Sequence, residues 1–430
     1  MKAPVEFEAL GELPTGWRWQ QLQDLAADPR QDIVDGPFGS NLKASEYVDE
    51  GVPIARLQNV DRNQFIDKNI RCVTEAKAAE LARHRFQPGD ILLTKLGDPL
   101  GKACIVPAAI GGGVIVADLV RIRPDLGRVD RKYLTYALNS PAVIRQLERH
   151  TKGTTRPRVN LSVVRELPIP VAPRDEQGSV VAEIEKQFSR LDEAVANLKR
   201  VKANLRRQRA AVLRAAVAGT LLGDEQRVQW IDMTIGDVGE VISGLTKNPK
   251  REGLPRKLPY LRVANVYANE LRLDQIEYIG VADRELDKLL VRQGDLLIVE
   301  GNGSPDQIGR VALWDGSIDN CVHQNHLIKV RFGGRVTSQW AMTWLLSPGG
   351  RHEIERVSSS TSGLHTLSTG KVARLPIPVP PVHEQKRIVA EVDRRLSIVR
   401  EVEAEIDANL ARARALRQAV LAKAFAGAAQ

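Results

Sequence analysis

Two short stretches carry residue types that could do chemistry, and both fall short of it. GDPLGKA (Gly97 to Ala103) has the glycine and lysine content of a phosphate-binding loop. A nucleotide loop of that kind needs four residues between its glycines and a Ser or Thr after the lysine to hold magnesium. Here three residues intervene and Ala103 follows Lys102, so no P-loop is expected. CVHQNHLIKV sets His323 and His326 in an HxxH spacing. Its surroundings read as strand and no carboxylate or further ligand is near, so polar strand or nucleic-acid-facing side chains are expected rather than a metal site. The other histidines, including His365 and His383, are isolated and read as surface or local contacts. Transfer of a methyl group to an amine would need a glycine-rich cofactor loop and an Asn/Asp-Pro-Pro-aromatic segment, and no such segment occurs. No catalytic residue and no metal ligand is expected.

The remaining candidates have the chemistry of nucleic-acid recognition. Arg or Lys reads guanine, Asn or Gln reads adenine, and phosphates take Lys, Arg and loop amides. In the first part of the chain these are Lys43, Arg56, Gln58, Asn59, Lys95, Lys102, Arg156 and Arg158; in the second, Lys247, Arg251, Arg262, Asn265, Asn302, Gln307 and Gln324. Arg56 matches Arg262 in position and Asn59 matches Asn265, which suits a structural or phosphate role better than discrimination between bases. Residues of divergent loops, such as Arg156 and Arg158, suit specificity better. A net charge of +9 agrees with an acidic polymer as partner.

The elements that must position these residues are arranged twice. From residue 1 to about 166 the chain is mixed: a turn and short element in LPTGWRWQQLQDLA, a glycine-rich loop GPFGSNLK (Gly36 to Lys43), and a strand expected over PIARLQNV (Pro53 to Val60). Two strands around a glycine turn follow in QPGDILLTKLGDPLGKACIVP, then one or two helices in VDRKYLTYALNSPAVIRQLERH and a polar, basic loop TKGTTRPRVNLS (Thr151 to Ser162). From about Val228 to Arg374 the layout returns with little identity: PYLRVANV (Pro259 to Val266), QGDLLIVEGNGSPDQIGRVAL and SSSTSGLHTLST stand in the corresponding places.

Each mixed region is followed by a far better preserved segment. Residues from Leu167 and from Leu375, laid side by side at a constant offset of 208, agree at 23 of 56 positions. Both copies open with a proline-punctuated stretch, LPIPVAP or LPIPVPP, held extended because proline fixes φ and restricts its predecessor. A long helix is expected next. Its apolar stripe runs Val180, Ile184, Phe188, Leu191, Val195, Leu198, Val201, Leu205 in the first copy and Ile388, Val392, Leu396, Val399, Val402, Ile406, Leu410 in the second. Steps of three and four make the narrow seam of a coiled coil. Glycine caps are expected at Gly219 and Gly427. The two helices could each form a separate exposed coiled coil, but two matched seams in one chain more simply pair with each other. If the halves are equivalent the pairing is antiparallel about a pseudo-two-fold axis, which sets the two heads at opposite ends of a rigid spacer. Lys199 to Arg214 holds seven cations and no acid, and Asn409 to the last residue four and none. These ends read either as solvated faces that complement the helix dipole or as surfaces that meet a partner or DNA.

Taken in order, the mixed domain, the LPIPxxP…EQ-headed helix, the second mixed domain and the second such helix, with GPFGSNLK, RLQNV, GDILLTKLGDPLGKA and EGNGSPDQIGR, resemble the specificity subunit of type I restriction-modification systems. The resemblance covers essentially the whole chain. It implies an α+β fold: two mixed α/β target recognition domains, 1–166 and 223–374, and two conserved spacer regions, 167–222 and 375–430, whose long antiparallel coiled-coil helices join them in an internal pseudo-two-fold repeat. It further implies a bipartite, asymmetric DNA site read one half per domain. Two DNA adenine methyltransferase subunits would dock on the helices, and restriction/translocase subunits would join that core. S-adenosylmethionine, ATP and Mg would belong to those partners, leaving this chain without cofactor or catalysis.

Cys72, Cys104 and Cys321 form no CxxC pair and suit a reducing cytosol. No apolar run approaches a membrane span and the acidic N-terminus is no signal peptide, so a soluble, cytoplasmic protein is expected. Two other classes stay open: a stand-alone DNA-binding regulator, and a coiled-coil scaffold whose heads bind protein.

Overall fold

The computed structural model describes residues 10, 12–151, 157–223, 230–302, 307–361 and 364–426, and of 302, 359–361, 364 and 365 the backbone only. The chain divides into two compact units, Met1–Leu198 with Ala408–Gln430, and Lys199–Asp407. Each unit holds one mixed head and a part of each long helix. The cut therefore falls inside both helices rather than at the ends of the expected spacer segments, because successive parts of one helix pack on different heads.

The long helices span Arg174–Ala218, 45 residues, and Val382–Phe425, 44 residues. Each begins directly after a proline, which fixes its own φ and restricts the residue before it but leaves those after it free to be helical. The carbonyls of Pro173 and Pro381 accept from the amides of Glu176 and Gln177 and of Glu384 and Gln385. The first helix ends at Gly219, whose φ of +76° lets Thr220 N donate to Ala215 O and Gly219 N to Ala216 O, a Schellman closure. Gly427 lies outside the described residues.

In the first unit, Val181, Ile184 and Phe188 pack with Leu421 and Phe425. In the second, Val212, Leu213, Ala216 and Val217 pack with Ile388, Val392 and Leu396. Rising numbers on one helix meet falling numbers on the other, so the pairing is antiparallel in each unit. Asp192 is ion-paired to Arg417 in the first unit, and Lys202 to Asp407 in the second. Two positions expected on the seam depart from it: Val201 and Val402 are 43% and 39% exposed. Strict steps of three and four drift around a helix of 3.6 residues per turn, and these two fall outside the contact.

The two heads share one plan. In the first, strands Ile33–Asp35, Leu119–Ile122, Ile91–Thr94 and Ala103–Ile105 lie side by side, all antiparallel. In the second, Gly239–Ser243, Leu327–Phe332, Leu296–Val299 and Val311–Leu313 repeat that order. Alternation along the strands gives each sheet two buried faces. Ile91 and Leu93 meet helices Arg131–Leu138 and Pro141–Arg149, whereas Leu92 meets a smaller sheet through Ala55 and Ile115. Leu296 and Ile298 against Leu297 and Val299 do the same in the second head.

The strands expected over Pro53–Val60 and Pro259–Val266 are broken. They run as Val52–Ala55 and Lys257–Leu261 and then fold into 3₁₀ turns at Leu57–Asn59 and Val263–Asn265. The polar loop expected over SSSTSGLHTLST contains paired strands, Ser359–Thr361 with Leu364–Thr366.

Candidate DNA interface

The preserved LPIP…EQ segments are the joint between head and helix. Pro168–Val171 pairs antiparallel with Arg18–Gln21, and Pro376–Val379 with Ile231–Thr234, so the proline strand closes an edge of its own head. Glu176 accepts from Trp17 Nε1 at 3.2 Å and Glu384 from Trp230 Nε1 at 3.0 Å. Gln177 and Gln385 are fully buried. Gln177 Oε1 accepts from the amide of Asp130 at 2.6 Å and Gln385 Oε1 from that of Thr337 at 2.8 Å, which are the N-caps of helices Arg131–Leu138 and Ser338–Leu346. The Gln amides donate back to Ala172 O and Pro380 O. Tyr133 and Trp340, on those same helices, donate to Pro170 O and Pro378 O. Each head is thereby bolted to its helix by the same bonds.

Above the joint, three loop segments converge in each head. In the first head the Gly36–Lys43 loop leaves strand Ile33–Asp35, and the hairpin after Thr94 contacts it through Lys95 Nζ on Asp35 at 2.5 Å. Leu96 is bridged to Arg158, and Val159 N donates to Lys95 O at 3.0 Å. In the second head Leu245 is bridged to Gln324, Glu300 N donates to His326 O, and Leu367 N donates to Glu300 O at 2.7 Å. The first loop starts at a glycine in both. A Cβ on Gly36 would stand 2.1 Å from Val116 O and one on Gly244 2.2 Å from His323 O, so no other residue fits without moving backbone.

The expected DNA-contacting residues divide sharply on this geometry. Asn59 and Asn265 are corrections: they are 0% and 2% exposed. Each Oδ1 accepts from the amide three residues back, at Arg56 and Arg262. Each Nδ2 donates to two loop carbonyls, Ile66 and Lys68, or Arg272 and Gln275. An amide with its capacity spent inside the fold has nothing to offer a base. Arg251 is likewise taken: it makes a bidentate pair with Glu285 at 3.0 Å and donates to Thr246 O and Gly280 O. Arg56 holds Asn69 O, and Arg262 holds Glu277 at 2.6 Å and Gln275 O. Lys95 is paired with Asp35 and Lys102 with Asp61 at 3.3 Å. Lys43, Gln58 and Arg158 are exposed and make no ion pair among the described residues. In the second head Lys247 is exposed beside Glu277 at 3.2 Å, Gln307 is exposed with its carbonyl 3.4 Å from Arg310 Nη1, and Gln324 is half-buried with its carbonyl 3.4 Å from Val263 N. Arg156 and the side chain of Asn302, like that of His365, lie outside the described residues.

His323 does not face outward. It is fully buried, donates through Nδ1 to Leu327 O at 2.9 Å, and keeps Nε2 without a partner. Burial pushes its pKa down to about 4. His326 is exposed and contacts Glu300 at 3.1 Å. Among the described residues no group of three or more His, Cys, Asp or Glu side chains is placed to hold a metal. All three cysteines are buried thiols, and burial lifts those of Cys104 and Cys321 to about 12. No described helix is long and apolar enough to cross a membrane.

A second set of matched residues was not singled out from sequence. Asp90 and Asp295 are almost fully buried and are each gripped bidentately, by Arg123 and Arg331. Two residues before each arginine stands a buried cation, Arg121 or Lys329, that caps main-chain carbonyls: Arg85 O and Gln31 O, or Lys288 O and Leu290 O. Burial lowers the Lys329 pKa to about 8. One buried polar skeleton thus supports two heads whose loops differ.

A duplicated framework carrying two such heads defines a two-headed recognition protein. Residues 227–409 match the family model of the type I restriction modification DNA specificity domain. The chain is 23% identical over 429 residues to the type I restriction enzyme StySPI specificity subunit of Salmonella potsdam, covering 97% of this chain and 90% of that one. It is equally 23% identical over 430 residues to the EcoKI specificity subunit of Escherichia coli K12, with the same coverage. A solved chain described under the complex assembly and conformational transition of the type I R-M system superposes with a TM-score of 0.68 at 20% identity, over 97% of this chain and 99% of that one. Residues 227–409 thus match the specificity-domain family, and the chain over nearly its whole length is similar to type I restriction-modification specificity subunits.

Proposed function

We propose that this chain is a non-catalytic, sequence-specific DNA-binding subunit. Its two target recognition domains read the two halves of a bipartite, asymmetric site, and the chain directs partner methyltransferase and restriction subunits there. Two adenine methyltransferase subunits dock on the helices, and restriction/translocase subunits complete the assembly in the cytoplasm. S-adenosylmethionine, ATP and Mg are bound by those partners. The observation that carries this reading is the contrast within each head: the buried residues Asn59 and Asn265, Asp90 and Asp295, and Arg123 and Arg331 repeat, while the exposed loop side chains do not. Two copies of one scaffold with different outward chemistry suit two different half-sites.

The test is to co-express the chain with its methyltransferase partner and map adenine methylation across host DNA by single-molecule sequencing. The expected result is one split motif with a fixed gap and a modified adenine on each strand. A stable complex that methylates no motif and leaves no bipartite footprint would refute the reading.

A further inference from the structure

At the end of strand Ile33–Asp35 away from the loop cluster, the first head carries a depression of about 590 Å³ lined by Arg30, Arg83, Arg121 and Arg123, with Asp32 at its wall. The two acids within reach are already engaged. Asp32 accepts from the amide of Asp28 at 2.9 Å, and both oxygens of Asp90 are held by Arg123 at 2.9 Å. Arg121 is 5% exposed, spends its terminal nitrogens on Arg85 O and Gln31 O, and buries Nε–H without an acceptor. Arg30 and Arg83 are exposed, and neither guanidinium makes a hydrogen bond or ion pair among the described residues. Burial first, and then the neighbouring Arg123, hold the Arg121 pKa below its ordinary value against the opposing pull of Asp90 and Asp32. Four guanidinium groups against two occupied carboxylates leave a deficit of negative charge that an oxyanion with several acceptor oxygens would fill.

We propose that this depression is a phosphate-oxygen site, separate from the base-facing loops, in which Arg30 and Arg83 clamp a phosphodiester of the DNA backbone beside the half-site read by the first head. The assignment rests on the proposed DNA-binding function and adds to it a backbone anchor on the first head whose Arg30 arm the second head does not repeat. The second head keeps the inner cations, Lys329 and Arg331, in the places of Arg121 and Arg123. The same register sets Val238, which is 6% exposed, where Arg30 stands. A phosphate contact adds affinity and register without sequence preference, and each one released to salt contributes about 0.9 to the slope of log affinity against log salt.

The experiment uses the full chain in complex with its methyltransferase subunits and follows binding to a duplex between about 50 and 200 mM salt, the range over which such contacts weaken binding severely. Arg30→Ala with Arg83→Ala is expected to flatten the log–log slope by about 1, the contribution of one phosphate. Affinity should fall equally on a specific and a random duplex, with the methylated motif unchanged. Arg30→Lys with Arg83→Lys should keep most of the slope. Both side chains are exposed and unpaired among the described residues, so the melting temperature of the double variant should match the wild type and exclude misfolding. An unchanged slope overturns the proposal, as does a motif altered at one half-site, which would mean base readout. If the slope holds while inorganic phosphate raises the melting temperature of the wild type and not of the variant, the pocket takes a free anion and the backbone assignment falls. The slope on random duplex is read whether or not a split motif exists, so this outcome is independent of the specificity reading.

Discussion

Polar residues that suit the same task in the sequence play opposite parts in the folded chain. Asn59 and Lys43 both looked fit to meet DNA. Asn59 has every polar side-chain atom committed to its own turn, whereas the Lys43 ammonium is exposed and outside any ion pair among the described residues. Asn59→Ala should therefore lower the stability of the first unit by roughly 1–3 kcal/mol, the cost of leaving buried partners unsatisfied. Lys43→Ala and Arg158→Ala should leave the melting temperature unchanged and weaken DNA binding, so calorimetry and a binding isotherm separate the two classes. That Arg56 and Arg262, and Asn59 and Asn265, match between the halves was legible in the sequence. What could not be read there was burial, because the turn around each Asn is closed by carbonyls seven to ten residues away, with no local pattern to announce them. His323 gives a pH dependence of definite sign. Its folded pKa of about 4 lies below its usual 6.5, so the unfolded chain takes up a proton that the folded one refuses. The stability of the second unit should be full above about pH 6.5 and fall progressively toward pH 4, by on the order of 3 kcal/mol. His323→Gln, which retains a donor for Leu327 O, should flatten that part of a thermal-melt profile.

At the scale of elements, the long helices were readable because their period, their proline-bounded starts and the glycine at 219 act locally. The joint was visible only as a recurrence of Glu and Gln whose purpose requires partners far away, at Trp17 and Asp130 or Trp230 and Thr337. Gln177→Leu should strand the Asp130 amide and the Ala172 carbonyl in a dry core and cost about 2–4 kcal/mol in the first unit. Gln385→Leu should do the same to the second unit alone. Differential scanning calorimetry of the two variants should show which transition moves. If both variants move the same transition, the joints are not independent. The broken strands after Ala55 and Leu261 mark where sequence pattern misled. The apolar alternation continued, but a side chain bonding its own backbone supplied a turn instead.

At the scale of the whole molecule, the fold class and the duplication were legible, and the division into units was not. Four consecutive segments were expected, whereas contacts gather residues 10–198 with 408–426 around one core. Phe425 lies against Tyr133 and Trp17 with ring centroids 5.3 and 6.3 Å away, and Leu421 is fully buried beside them. A chain stopped after Asp407 should thus lose the cooperative melting of the first unit and keep that of the second, a test for calorimetry and limited proteolysis. Phe425→Ala alone should cost the first unit about 3–5 kcal/mol.

The interleaving also bears on the order in which the protein can be made. Domains generally fold as units while synthesis proceeds at about 5–20 residues per second. Every residue of the second unit lies between Lys199 and Asp407, so that unit can close as soon as its own stretch has left the ribosome. The first head emerges earlier but must wait, with Trp17, Tyr133 and Phe188 uncovered, until residues 408–425 arrive some two hundred residues later. The head translated first is the one completed last, and it is the one a nascent-chain chaperone has most reason to hold.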